Sequence, residues 1–217
     1  MSTSRTSSRT SSRNGMRQYG VALRAMLVFT VVLGLAYPLT ITLAGQLALP
    51  AQANGSLVSA GNEVVGSSLI GQSFTDAANA ALPEWFQSRP SAAGAGYDAA
   101  ASSGSNWGPE NPDLIQAIKN RRAAIEKLDG VPAGTAPADA VPADAVTASA
   151  SGLDPHISPA YALLQVPRVA AARDLPEAEV RALVESVEQG PDLGYLGEPT
   201  VNVLNLNLKL ATLDSSR

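Results

Sequence analysis

Hydrophobic positions run along this chain in three rhythms. The first is continuous. From Ala25 to Gly45, "AMLVFTVVLGLAYPLTITLAG", 21 residues pass without a charge. As a helix the run is about 31 Å long, which matches a bilayer core of roughly 30 Å. Pro38 would kink a soluble helix but is tolerated in a membrane-spanning one, and Thr30, Thr40 and Thr42 can bond back to the helix backbone. The second rhythm is helical. Asn111 caps a helix that Pro112 and Asp113 suit at its first turn; Leu114, Ile115, Ile118, Ile125 and Leu128 line it, and Gly130 stops it. Ser158 and Pro159 open another, which Pro167 is expected to bend or interrupt. A third opens near Asp174 and Pro176, carries a stripe of Val180, Leu183, Val184 and Val187, and ends at Gly190. The third rhythm is alternating. Leu57–Ser59 and Val64–Ile70 flank a Gly61-Asn62 turn and predict a hairpin. "VNVLNLNLKL" (201–210) puts Leu204, Leu206, Leu208 and Leu210 on one side and Asn205, Asn207 and Lys209 on the other, which describes a half-buried strand. Strands at both ends with helices between predict a small mixed α/β (α+β) domain.

Three stretches have weaker patterns. Residues 1–18, with "RTSS" at 5–8 and again at 9–12, read as a disordered basic tail. The Gly/Ser/Ala-rich stretch 88–112 reads either as an irregular loop pinned by Trp85, Phe86, Tyr97 and Trp107 or as a flexible surface. A tandem "PADAV" at 137–141 and 142–146 marks a Pro/Ala-rich linker over 131–146.

Charge sharpens this picture. Arg5, Arg9, Arg13, Arg17 and Arg24 precede residue 25 and no acidic residue does. The remainder holds ten basic and all 19 acidic residues, a net charge of −9 (10 minus 19). A basic flank on one side of an apolar run orients that side toward the cytoplasm. The expected organisation is a cytoplasmic tail (1–18), a transmembrane helix (19–46) and an extracytoplasmic domain (47–217). The competing reading is a cleaved signal peptide, with "AQA" at 51–53 as the cleavage site; the length of the apolar run favours the anchor.

Candidate chemistry is sparse. With no cysteine and a single histidine, His156, the chain has no thiolate nucleophile, no disulfide framework and too few ligands for a structural zinc site. Ser149, Ser151 or Ser158 could join His156 and Asp154 as a hydrolase triad. All five lie within ten positions, however, whereas working triads gather their members from distant loops. No "GxSxG" elbow and no phosphate-cradling "GxxxxGK[ST]" loop occur, and the acidic balance disfavours nucleic acid. An anchored or secreted Ser/His hydrolase, or a ligand-binding module, is the alternative reading.

Several collinear blocks carry a resemblance. They are "YPL" (37–39), "GSSLIGQSF" (66–74), "WFQSRPSA" (85–92), "YD" (97–98), "SSGSNWGPENPDL" (102–114), "VTASASGLDPHISPAYALLQVPRVAAAR" (146–173) and "VNVLNLNL" (201–208). Over roughly residues 17–210 the chain resembles the C subunit of the bacterial Kdp potassium-transporting P-type ATPase (KdpC). The resemblance implies a single-pass, non-catalytic accessory subunit in the cell membrane. Its implied partners are a potassium-channel-like A subunit, a P-type ATPase B subunit and a small single-helix F subunit. It implies a role in assembly and a catalytic-chaperone effect that raises the ATP affinity of the B subunit. The chain would have no cofactor of its own, ATP acting through the complex. In the family proposal a glutamine of the "HISPxxxxxQ" block, here Gln165, approaches the nucleotide. The arginine asymmetry instead places residue 165 across the membrane from cytoplasmic ATP, so Gln165 is expected to be structural or at a subunit contact. Tyr37, Pro38, Arg89, Ser103, Asn106, Asp154, His156 and Arg168 in the matching blocks are expected to be structural or to meet other subunits.

Overall fold

The computed structural model describes residues 9–131 and 141–215, with side chains over 15–131 and 141–213. The chain divides after Gly55 into two units.

The first unit is helical. Helix α1 (Arg9–Val31) passes through a π-helical turn (Val32–Ala36) into α2 (Tyr37–Ala48), and a short α3 (Pro50–Ala53) follows. Residues Gly15–Ala48 are long and apolar enough to cross a membrane. The helix begins well before the position the sequence predicts. Arg9 to Gln18 were expected to belong to a disordered tail and are helical, because extending an existing helix is far cheaper than nucleating one. The first "RTSS" copy lies outside the described residues. The π turn sits just ahead of Pro38, and the Tyr37 N–H donates to the Val32 carbonyl five residues back. Pro38 has no N–H to give, and in a regular helix its ring would press on the carbonyl of Gly34; the wider turn accommodates both. Thr40 Oγ1 donates to the Ala36 carbonyl at 2.8 Å, the back-bond anticipated for it.

The second unit begins with the expected antiparallel hairpin, β1 (Leu57–Ala60) and β2 (Glu63–Ser67), turning at Gly61 with φ +61° and bulging between Val58 and Ser59. Helix α4 (Pro112–Leu128) has the boundaries its caps predict, with the Asn111 side chain accepting from the Asp113 N–H. Then come α5 (Ala143–Val146), β3 (His156–Ile157), α6 (Pro159–Arg173), α7 (Glu177–Val187), β4 (Glu188–Gln189), β5 (Thr200–Asn202) and α8 (Val203–Ser215). The three short strands form one antiparallel sheet in the order β3-β5-β4, with His156 opposite Asn202 and Glu188 opposite Val201. Its Ile157 and Val201 join Val166, Val169, Val180, Val184, Leu206, Leu210 and Phe86 in one core.

Three sequence expectations change. The strand expected over 201–210 ends at Asn202, and the rest is helix α8. Alternating Leu and Asn also places Val203, Leu206, Asn207 and Leu210 at helical spacing, and all four are buried. Asn202 Oδ1 accepts the Asn205 N–H and starts the helix as a cap. Helix α6 runs through Pro167 without interruption. The missing N–H leaves the Leu163 carbonyl without its usual donor, but the fully buried Val166 and Val169 hold both sides of the proline in the core. Of the expected linker, residues 132–140 lie outside the described residues, while Val141, Ala145 and Val146 are buried in the core.

Candidate functional site

Two helices and two loops bring the residues of the matching blocks into two adjoining polar clusters. The first is internal and centres on Gln165, which projects from α6 and is 0% exposed. Its Oε1 accepts from the Gln87 N–H at 2.6 Å and from Arg168 Nη2 at 2.7 Å; its Nε2 donates to the Gln87 carbonyl at 3.1 Å. One residue earlier, Asn207 of α8 makes the same pairing with Phe86. Its Oδ1 accepts from the Phe86 N–H and its Nδ2 donates to the Phe86 carbonyl, both at 3.0 Å. Two amide side chains thus satisfy the backbone N–H and carbonyl groups of residues 86 and 87, which belong to no strand or helix.

Arg168 is one helical turn after Gln165. Its Nε donates to Asp129 Oδ1 at 2.7 Å, and its Nη1 donates to the carbonyls of Pro83 and Trp85. The side chains of the pair are 6% and 1% exposed. Burial pushes the Asp129 carboxyl up from the ordinary carboxylate range, a shift the Arg168 hydrogen bond and charge only partly offset. Arg173, at the end of α6, donates from Nε to the Glu84 carbonyl and lies over the Trp85 ring at 4.1 Å. The carbonyls of residues 83–87 and the N–H groups of Phe86 and Gln87 are therefore all bonded by side chains of α6 and α8.

The second cluster is half-exposed. Arg89 Nη1 bonds Asp154 Oδ2 at 2.9 Å, while Asp154 Oδ1 accepts from the His156 N–H at 3.0 Å and lies 3.5 Å from His156 Nδ1. Burial pushes the Asp154 carboxyl up, but the hydrogen bonds from His156 and the charge and hydrogen bond of Arg89 outweigh it and leave the pKa below the usual value. Tyr97 closes the cluster by donating its hydroxyl to the Arg89 carbonyl at 2.8 Å; burial raises its pKa to about 12. Gly71 packs against this ring so closely that a Cβ there would lie 2.3 Å from Tyr97 Cε1 and 2.8 Å from the Asp154 carbonyl oxygen.

The stretch after Arg89 is an ordered irregular loop, as one of the two sequence readings had it. Serines and glycines hold it more than aromatics do. Ser91 Oγ donates to the Gly152 carbonyl, the Ser103 N–H donates to the Ser151 carbonyl, and the Ser149 N–H donates to the Pro90 carbonyl. Gly152, at φ +69°, could not carry a Cβ, which would sit 2.6 Å from the Ser103 carbonyl oxygen. Asn106, in a left-handed conformation, and Trp107 are exposed, so the far end of the loop is not pinned by its tryptophan. Tyr37 and Pro38 belong to the first unit, where they follow the π turn at the start of α2.

The serines proposed for a triad are engaged elsewhere. Ser158 Oγ caps α6 by accepting the Tyr161 N–H, and it donates to Asp144 Oδ1 at 2.9 Å. Ser149 and Ser151 hydroxyls bond each other and the backbone N–H groups of Gly152 and Leu153. Among the described residues no group of three or more His, Asp or Glu side chains could hold a metal ion. Gln87, Asp129 and Asn207 of the internal cluster, and Asp144 beside Ser158, were missed by sequence reasoning. A helical reading of 203–210 would have found Asn207 on the buried face; nothing local marks the others.

Residues 19–212 match the KdpC family, described as "K+-transporting ATPase, c chain". The chain is 56% identical over 193 residues to a potassium-transporting ATPase KdpC subunit of Caulobacter vibrioides, covering 87% of this chain and 90% of the relative. It is 53% identical over 198 residues to that of Kineococcus radiotolerans, with 91% and 94% covered. With that of Mycobacterium bovis it shares 50% identity over 197 residues, covering 91% of this chain and 99% of the relative. Taken with an apolar N-terminal helix ahead of a small α/β unit, these matches place the chain in the KdpC family.

Proposed function

We propose that this chain is the membrane-anchored, non-catalytic subunit of an ATP-driven potassium uptake complex, with its N-terminus in the cytoplasm and its α/β unit outside. In this reading it assembles with a channel-like A subunit, a P-type B subunit and a small F subunit. It stabilises that assembly, and any rise in ATP affinity at the B subunit is transmitted through the complex. The observation that carries the reading is the state of Gln165. Both of its amide atoms are committed to Gln87 and Arg168 inside the core, so reaching a nucleotide would require breaking three hydrogen bonds and opening the domain. The orientation is supported by Arg17 and Arg24 on one flank of the apolar helix, with the next basic residue only at Arg89.

Because the natural chain lacks cysteine, orientation is open to a direct test. A membrane-impermeant maleimide added to intact cells is expected to label Ala123→Cys, exposed on α4, and to leave Ser7→Cys unlabelled until the cells are permeabilised. The reverse pattern would refute the orientation. For the nucleotide, a photoreactive ATP analogue is expected to label the B subunit and not this chain. Labelling of this chain that disappears in a folded, assembled Gln165→Ala variant would show a direct contact.

A further inference from the structure

We propose that the turn between β4 and β5, residues 191–197, is a docking knob for another protein subunit of the same complex, seated in an apolar socket with a basic rim. The proposal rests on the functional reading above. The turn is built firmly. Asp192 and Leu196 exchange both backbone hydrogen bonds at 2.9 Å, and the N–H groups of Gly194 and Tyr195 donate to the Pro191 and Asp192 carbonyls. Gly194 and Gly197 take positive φ, and Leu193 does so too, at +54°, a left-handed conformation that a branched side chain resists.

This fixed frame displays three large apolar side chains within four positions: Leu193 is 81% exposed, Tyr195 74% and Leu196 51%. A single exposed leucine is ordinary, whereas a held cluster with a tyrosine has the composition of an interface anchor.

Charge identifies the occupant. Between Arg181 and Lys209 there are four acidic residues, Glu185, Glu188, Asp192 and Glu198, and no basic one. All four are exposed. An anionic lipid surface would repel such a rim, and a second copy of this chain would set like charges against each other. A different protein, with Lys or Arg around an apolar pocket, satisfies both features.

The test uses the full-length chain in membranes that contain the whole complex. With a photoreactive benzoylphenylalanine in place of Tyr195, irradiation is expected to join this chain to an identified subunit of the same ATPase. Adducts to phospholipid or to a second copy of this chain, or no adduct at all, would overturn the proposal. In parallel, Leu193→Asp with Tyr195→Ser is expected to lower co-purification of that subunit on the order of tenfold or more. Asp192→Lys with Glu188→Lys and Glu198→Lys is expected to lower it in a salt-dependent way. Only backbone atoms of Asp192 hold the turn, so an unchanged melting temperature will show that these variants remain folded. Two failures are distinguishable. If the wild-type chain co-purifies with no ATPase subunit, the functional reading falls and the docking knob with it. If it co-purifies and the variants do so equally well, only the docking knob falls.

Discussion

The Gln165–Arg168–Asn207 cluster and the Arg89–Asp154–His156 cluster hold neighbouring parts of one irregular segment, yet they work in different surroundings. In the first, the ion pair is almost wholly buried and every amide atom grips backbone. In the second, Arg89 and Asp154 are 23% and 30% exposed, and solvent can replace part of what a substitution removes. Sequence resemblance marks members of both clusters alike, whereas burial separates them. Unmaking a bond in the dry cluster strands a partner, while in the wet one water fills in.

The substitution expected to cost most is therefore Arg168→Met. It leaves Asp129 as an uncompensated buried carboxylate and removes the donors to Pro83 and Trp85, for a loss of about 3–5 kcal/mol. The urea midpoint of the full-length chain in detergent measures it. Adding Asp129→Leu should recover a large part, because the pair rather than either charge fits the site. Next comes Gln165→Leu, which strands the Gln87 N–H and carbonyl inside the core and should cost about 2–3 kcal/mol by the same measurement. Gly152→Ala tests the loop that follows Arg89. A Cβ against the Ser103 backbone at positive φ should cost about 1–3 kcal/mol.

Asp154→Asn is the smallest effect at neutral pH, about 1 kcal/mol or less. It should show more clearly in acid. The folded pKa of Asp154 lies below its unfolded value, so its contribution is present above about pH 4 and fades as pH falls toward the folded pKa. Asp129 has the opposite sign. Its raised pKa means that the folded state binds the proton more tightly, and its penalty is relieved as pH falls. Urea midpoints between pH 6 and pH 3 should fall less steeply for Asp154→Asn than for the wild type. An unchanged slope would show that the half-exposed cluster contributes nothing through charge.

What could be read from the sequence was local. Asn111, Pro112 and Gly130 punctuate α4 because caps and stops act over three or four residues, and Gly61-Asn62 turns the hairpin for the same reason. The failures were cases in which tertiary contacts decide between equal local readings. Leu/Asn alternation fits a strand and a helix alike until Asn207 finds Phe86, 121 residues away in sequence. Strands β3 and β4 have two residues each, too few to show any period. Gln165 could be singled out by resemblance, but the backbone that claims its amide lies 78 residues earlier in an unpatterned loop, so its burial was not legible.

The π turn at Val32–Ala36 has a consequence for the lipid-embedded face of the chain. One extra residue in a turn offsets everything beyond it by about 100° of azimuth relative to an uninterrupted helix. A helical wheel drawn straight through the segment would assign Leu39 and Leu43 to the wrong side with respect to Leu27 and Val28. Two neighbouring helices could thus each contact a different half of this single span.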